Sequence, residues 1–102
     1  MGDGITGELP TVLVVDDTVD NLQFMSGILQ GIYRVKVANS GERALKILER
    51  GPLPDIILLD VIMTGMDGYE VCRQLKTNPA TAAIPVIFLT ARSEVEDETR
   101  GF

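Results

Sequence analysis

The feature that most constrains the fold is a short apolar run that ends in an aspartate, Ile56–Asp60. Its first four residues are Ile-Ile-Leu-Leu, with proline before the run and glycines soon after it. Such a run predicts a strand buried on both faces, as in a parallel sheet. Ligands of open α/β sheets bind at the carboxyl ends of strands, where Asp60 stands. A carboxylate is costly to bury unless it is solvated, paired or metal-bound, so Asp60 marks a candidate site.

The rest of the chain alternates strand patterns with helix patterns, as βαβ units require. Right-handed crossovers would place the helices on both faces of a parallel sheet. The predicted strands are residues 11–15, 33–38, 56–59 and 86–89, and the predicted helices are residues 18–30, 40–50, 67–78 and 93 onward.

The helix boundaries carry their own signals. Thr18 or Asp20 is expected to cap the first helix and Ser40 the second. Asp67 followed by Glu70 resembles a capping box for the third helix, and a similar pair, Ser93 and Glu96, precedes the fourth. The apolar face of the first helix is predicted to turn inward as a set, comprising Leu22, Met25, Ile28 and Leu29.

Composition excludes several function classes. The 102 residues suffice for one small domain, predicted to span residues 11–102 after a flexible tail at 1–10. The net charge of -6 argues against binding nucleic acid or an anionic membrane. The sequence has no histidine and one cysteine, which excludes His-dependent catalysis and a disulfide within this chain. No apolar run could span a membrane and no signal peptide is evident, so we expect a cytoplasmic protein.

Polar residues follow three of the predicted strands. Asp16 and Asp17 come after the first strand, Asp60 ends the third, and Thr90 follows the fourth. A strand order of 2-1-3-4 would make these three strands neighbours and bring three carboxylates and a hydroxyl into one crevice. Close carboxylates repel each other, and a hard cation removes that repulsion. Oxygen ligands with open water positions suit Mg²⁺.

These patterns resemble the receiver domain of bacterial two-component response regulators. The resemblance extends over residues 11–102 and implies a flavodoxin-like (CheY-like) doubly wound parallel sheet in the order 2-1-3-4. Four motifs carry it, each at a strand end and correctly spaced: residues 14–17 (Val-Val-Asp-Asp), 58–63 (Leu-Leu-Asp-Val-Ile-Met), 66–70 (Met-Asp-Gly-Tyr-Glu) and 85–91 (Pro-Val-Ile-Phe-Leu-Thr-Ala).

The resemblance implies a role for each matched residue. Asp60 would be the phosphoacceptor, and a histidine kinase or a histidine phosphotransfer protein would supply the phosphoryl group. Asp17 would bind Mg²⁺ directly and Asp16 largely through water, and Asp60 and the backbone carbonyl of Ile62 would complete the protein's share of the metal shell.

The fourth strand would supply the residues that contact the phosphoryl group. The hydroxyl of Thr90 would bond that group and move on activation, and the small Ala91 would leave room for it. The domain would be regulatory rather than an enzyme in its own right, assisting its own phosphorylation and dephosphorylation.

The sequence departs from the family pattern in two places. Thr64 occupies a position where the family usually has proline. The family's fifth strand, with its lysine that pairs with the phosphoryl group, and the last helix are expected to be missing, because the sequence stops at Phe102. Lys36, Lys46 and Lys76 fall on other predicted elements and cannot replace that lysine.

Two alternative functions, and a purely structural role for the first two aspartates, stay open. The chain could be a receiver that no longer switches and acts as a protein-interaction module. A phosphohydrolase with an aspartate nucleophile would need a second aspartate two residues after Asp16, where Thr18 stands. Asp16 and Asp17 could also merely cap the first helix.

An uncovered fourth strand, residues 86–89, predicts a homodimer through that strand or through the C-terminal segment.

Overall fold

The computed structural model describes residues 8–89, which form a parallel sheet with helices on both faces. Within that range the sheet has four strands in the order β2-β1-β3-β4, which confirms the predicted order and fold class. The strands are β1 (Thr11–Val15), β2 (Arg34–Ala38), β3 (Ile56–Asp60) and β4 (Val86–Leu89), and the helices are α1 (Val19–Leu29), α2 (Gly41–Arg50) and α3 (Gly68–Thr77).

The strand register brings the carboxyl ends of the strands level. Val15 of β1 pairs with Leu59 of β3 and with Ala38 of β2. Asp60 pairs with Leu89, the last residue of β4. Asp16 and Asp60, each one step beyond the Val15–Leu59 pair, therefore lie side by side at one edge of the sheet.

The larger core lies between the sheet and the helices α2 and α3. Its centre is formed by Leu13, Ile57 and Leu59, which are at most 1% exposed. The helices α2 and α3 turn their apolar faces to the sheet: Ala44, Leu48, Val71 and Leu75 are buried, and Leu45, Ile47 and Cys72 are partly buried beside them.

The opposite face of the sheet is covered by α1. Leu22 is buried there against Val12 and Val14, with Met25 and Leu29 packed at the margin. The prediction that Ile28 faces inward is wrong, because its side chain is 52% exposed on the flank of the helix. On this face the β3 residues Ile56 and Leu58 are half-buried, so the predicted burial of that strand on both faces is wrong.

The first two helices begin in different ways. The Ser40 hydroxyl accepts a hydrogen bond from the Arg43 amide at 3.1 Å, which confirms the predicted cap of α2. Thr18 occupies the cap position of α1, as predicted, but its side chain makes no capping hydrogen bond. The Asp16 carboxylate accepts from the Thr18 amide at 2.9 Å, which forms an Asx-type turn just before the helix.

The start of α3 confirms half of the predicted capping box. The Asp67 carboxylate accepts a hydrogen bond from the Glu70 amide at 2.9 Å. The Glu70 carboxylate does not complete the box, because it accepts hydrogen bonds from Arg73 and Gln74. The hydrogen bond from Arg73, and to a smaller extent the one from Gln74, lowers the pKa of Glu70 below its usual value.

Lys76 ties the end of α3 to the segment that leads into β4. Its ammonium donates to the carbonyl oxygens of Ala82 at 3.0 Å and Ile84 at 2.8 Å. Both acceptors precede β4, so Lys76 lies at the amino edge of the sheet, opposite Asp60. This agrees with the expectation that Lys76 cannot serve a phosphoryl group at the strand ends.

Gly68, the first residue of α3, packs against the backbone that follows β3. Its amide donates to the Val61 carbonyl at 2.9 Å. A Cβ atom built on Gly68 would lie 2.3 Å from the Asp60 carbonyl oxygen and 2.8 Å from the Val61 Cα. Both neighbours are backbone, so only glycine permits this approach.

Some predictions fall outside these findings. Residues 1–7 and the helix expected from Ser93 lie outside the described residues, so the domain division at residue 10 stays a prediction. The homodimer through β4 also stays a prediction, although Ile87 on that strand is 49% exposed. None of the helices within residues 8–89 is long and apolar enough to cross a membrane.

Replacing Gly68 with alanine should destabilise the domain by about 1–3 kcal/mol, because a methyl group there displaces backbone. Gly27→Ala is the matched control. A Cβ at that helical position meets nothing within 4 Å, and removing glycine from a helix should stabilise by about 0.5–1 kcal/mol. Urea denaturation measures both variants. A Gly68→Ala domain as stable as wild type would contradict the close approach.

Candidate metal centre at the strand ends

Three carboxylates converge at the carboxyl edge of the sheet. One oxygen each from Asp16, Asp17 and Asp60 lies within 4.8 Å of the other two. Asp16 and Asp60 are buried, at 4% and 6% exposure, and Asp17 is the most accessible of the three. The predicted cluster therefore exists, formed by the turn after β1 and the end of β3.

Asp16 is held in place from three directions. Its amide donates to the Ala38 carbonyl at 3.1 Å, which extends the β1–β2 ladder by one residue. Its Oδ1 accepts from the Thr18 amide at 2.9 Å, and its Oδ2 accepts from the Asn21 side-chain amide at 3.1 Å. Each oxygen keeps a further lone pair, so the carboxylate can still bind a water of a hydrated cation.

Asp17 links the two turns that form the site. Its Oδ2 accepts a hydrogen bond from the Thr64 amide at 2.9 Å. This bond joins the end of β1 to the loop after β3. Asp16 thus contacts the start of α1 without being its cap residue, whereas Asp17 contacts a different segment.

The loop after Asp60 is fixed by alternating burial. Val61 and Met63 are each 7% exposed, whereas Ile62 between them is 49% exposed. Two buried anchors hold the Ile62 backbone beside the cluster, and Gly68 bonds the Val61 carbonyl from the other side. That the Ile62 carbonyl binds a metal stays a prediction.

The fourth strand contributes less to the described site. Leu89 pairs with Asp60 and is the last described residue. Thr90 and Ala91, predicted to contact a phosphoryl group, lie outside the described residues.

The donor set suits a small hard cation. All three groups are carboxylates, the ligand type that Mg²⁺ and Mn²⁺ prefer. Held this close, three negative charges repel one another, and a divalent cation among them would offset that cost. The residues present therefore fit the predicted Mg²⁺.

Sequence reasoning missed three supporting groups. Asn21 carried a signal, because it lies one helical turn beyond the strand end that holds Asp16. Gly68 is visible in the sequence as a glycine after the strand, but its contact with the Asp60 backbone depends on the helix–strand packing. The Thr64 amide carried no signal, since any residue except proline offers the same donor.

A sequence model of the response regulator receiver domain family matches residues 12–102. A protein of Vibrio cholerae described as a probable cyclic di-GMP phosphodiesterase is 54% identical over 92 residues, covering 90% of this chain and 21% of that protein. The response regulator PleD of Caulobacter vibrioides is 46% identical over 91 residues, covering 88% of this chain and 20% of PleD. The chain thus spans about a fifth of the length of these relatives.

Solved structures agree with the fold. The N-terminal domain of a response regulator receiver protein from Methanoculleus marisnigri matches with a TM-score of 0.78 at 45% identity, covering 83% of this chain and 69% of that one. The chemotaxis protein CheY4 of Vibrio cholerae matches with a TM-score of 0.78 at 30% identity, covering 91% of this chain and 78% of that one. Receiver domains generally bind Mg²⁺ through an acidic pocket, and the three aspartates of this chain form an acidic cluster that could hold a metal ion.

Asp17→Asn should weaken Mg²⁺ binding by roughly tenfold or more, because it removes one of three charged oxygen ligands. Asp20→Asn is the control, since it makes the same charge change at an exposed position of α1 outside the cluster. Isothermal calorimetry compares both with wild type. Equal Mg²⁺ affinity in wild type and Asp17→Asn would contradict the assignment of Asp17 as a ligand.

Proposed function

We propose, since this chain belongs to the response regulator receiver domain family, that Asp60 accepts a phosphoryl group from a histidine kinase or a histidine phosphotransfer protein. One observation carries the proposal: Asp60 ends a central strand within 4.8 Å of two further carboxylates. A nucleophilic carboxylate beside a cation site is the arrangement that phosphoryl transfer requires.

The transfer needs little covalent chemistry from this chain. An oxygen of Asp60 forms a bond to phosphorus while the bond from phosphorus to the partner's histidine nitrogen breaks. The imidazole of the partner leaves with the electron pair. Because these 102 residues contain no histidine, the phosphoryl donor must lie outside them.

The fold supplies position and charge. β3 fixes the Asp60 backbone between β1 and β4, and Gly68 holds the segment that follows. Asp16 and Asp17 present oxygens to the same point. A Mg²⁺ ion held by these carboxylates and by the carbonyl of Ile62 would offset the negative charge of the incoming phosphoryl group.

Further parts of the proposal concern residues and partners beyond the described site. Thr90 would bond the phosphoryl group through its hydroxyl, and Ala91 would leave space beside it. The family is regulatory, so the phosphorylated domain would act by contact with a partner or an attached output domain, in the cytoplasm where its kinase would meet it.

An acyl phosphate such as acetyl phosphate should label this chain in the presence of Mg²⁺, and chelation of the cation should abolish labelling. Asp60→Asn should lose the label because it removes the nucleophilic carboxylate. Intact-mass spectrometry with peptide mapping measures the label and its position, and Asp20→Asn serves as the control.

The outcomes separate the candidate functions. A label on Asp60 that depends on Mg²⁺ supports the phosphoacceptor. Undiminished labelling of Asp60→Asn would contradict Asp60 as the acceptor. A wild-type chain that takes up no phosphoryl group from either acetyl phosphate or a phosphorylated partner protein would favour the interaction module.

A further inference from the structure

The loop after β3 contacts the candidate metal centre through one backbone group. The Thr64 amide donates to Asp17 Oδ2 at 2.9 Å, across 47 residues of sequence. We propose that this N–H is a positioning donor, which holds the Asp17 carboxylate in the orientation that binds the cation. The inference rests on the proposed function and adds a residue to it.

The amide, not the side chain, is the functional part of Thr64. The threonine side chain is exposed, so the core does not require it. Any residue except proline would offer the same N–H. Proline has no amide hydrogen to donate, so Thr64→Pro would remove this bond.

The neighbours of Thr64 fix the direction of its amide. Met63 is anchored in the larger core at 7% exposure. Gly65 adopts a φ of +79°, a conformation that side chains other than glycine rarely adopt. Between a buried anchor and a glycine turn, the Thr64 N–H is pre-organised toward Asp17 rather than placed there by chance.

The bond divides the work of the Asp17 carboxylate. Oδ2 is engaged by the loop, which leaves Oδ1 and the remaining lone pair of Oδ2 for a cation. An N–H bonded to an ionised carboxylate also offsets part of its charge beside Asp16 and Asp60. Groups that orient metal ligands in this way commonly change metal affinity by about 10- to 100-fold.

The bond also connects the loop to the state of the site. Residues 61–67 lead from Asp60 to the start of α3, and Thr64 lies in their middle. A cation that moves or polarises the Asp17 carboxylate should therefore change the chemical environment of the Thr64 amide. This hydrogen bond gives one route by which cation occupancy can affect the conformation of the loop.

Two substitutions at one position separate the amide from the side chain. Thr64→Pro removes the N–H and should weaken Mg²⁺ binding roughly tenfold, the lower end of the usual range because the bond is exposed. Thr64→Ala keeps the N–H and should leave affinity within about twofold of wild type. Calorimetry with Mg²⁺ alone, at fixed ionic strength, measures the three proteins.

A second measurement does not depend on how well the proline variant folds. In ¹⁵N-labelled protein without any cation, the signal of the Thr64 amide proton should lie further upfield in Asp17→Ala than in wild type, because the acceptor of its hydrogen bond is lost. The same amide should shift as Mg²⁺ is titrated into wild type, and saturate with the calorimetric affinity.

The results distinguish this inference from the proposal on which it rests. A wild-type chain that binds no Mg²⁺ would contradict both. Two results together would overturn the positioning donor alone. One is an equal Mg²⁺ affinity in wild type and Thr64→Pro, and the other is a Thr64 amide signal that does not change in Asp17→Ala. A tenfold loss in Thr64→Pro, near-normal affinity in Thr64→Ala and a responsive amide establish it.

Discussion

The parallel register of β1 against β3 is the constraint on which the rest of the structure depends. It sets Val15 opposite Leu59, so the next residues of the two strands, Asp16 and Asp60, must lie at one edge. A slip of one residue would turn every side chain of a strand to the other face. β1 cannot slip, because residues 12–15 are at most 1% exposed on both faces of the sheet. Hydrophobic burial thus fixes the position of the carboxylates.

The cluster of carboxylates at the strand ends destabilises the folded domain. Two carboxylates are buried and a third lies within 4.8 Å, so their mutual repulsion costs free energy when no cation is present. The surrounding bonds offset part of that cost. Thr18 and Asn21 donate to Asp16, and Thr64 donates to Asp17. Such a departure from ordinary core design is expected where function requires charge, and proteins concentrate it at their sites.

The sequence allowed the fold and the cluster to be predicted because both depend on local patterns. Apolar runs located the strands, and the polar residue at the end of each run located the site. The misses have physical reasons. Ile28 matched the apolar period of α1 but lies on the flank of the helix that the sheet does not reach. Thr18 takes the cap position of α1, but its side chain makes no capping hydrogen bond, and its amide donates to the Asp16 carboxylate at the end of β1. The Thr64 amide and the Gly68 contact depend on how the loop and α3 pack, which no residue pattern encodes.

The central claim is that Asp16, Asp17 and Asp60 form one cation site at the strand ends, and Mn²⁺ relaxation tests it most directly. Mn²⁺ replaces Mg²⁺ at carboxylate sites and broadens the NMR signals of nearby amides. Substoichiometric Mn²⁺ should broaden residues 16–18 and 60–64, while Ile56, about 13 Å away along β3, stays sharper. Broadening centred on another acidic segment, such as residues 94–98, with residues 16–18 and 60–64 unaffected, would contradict the account.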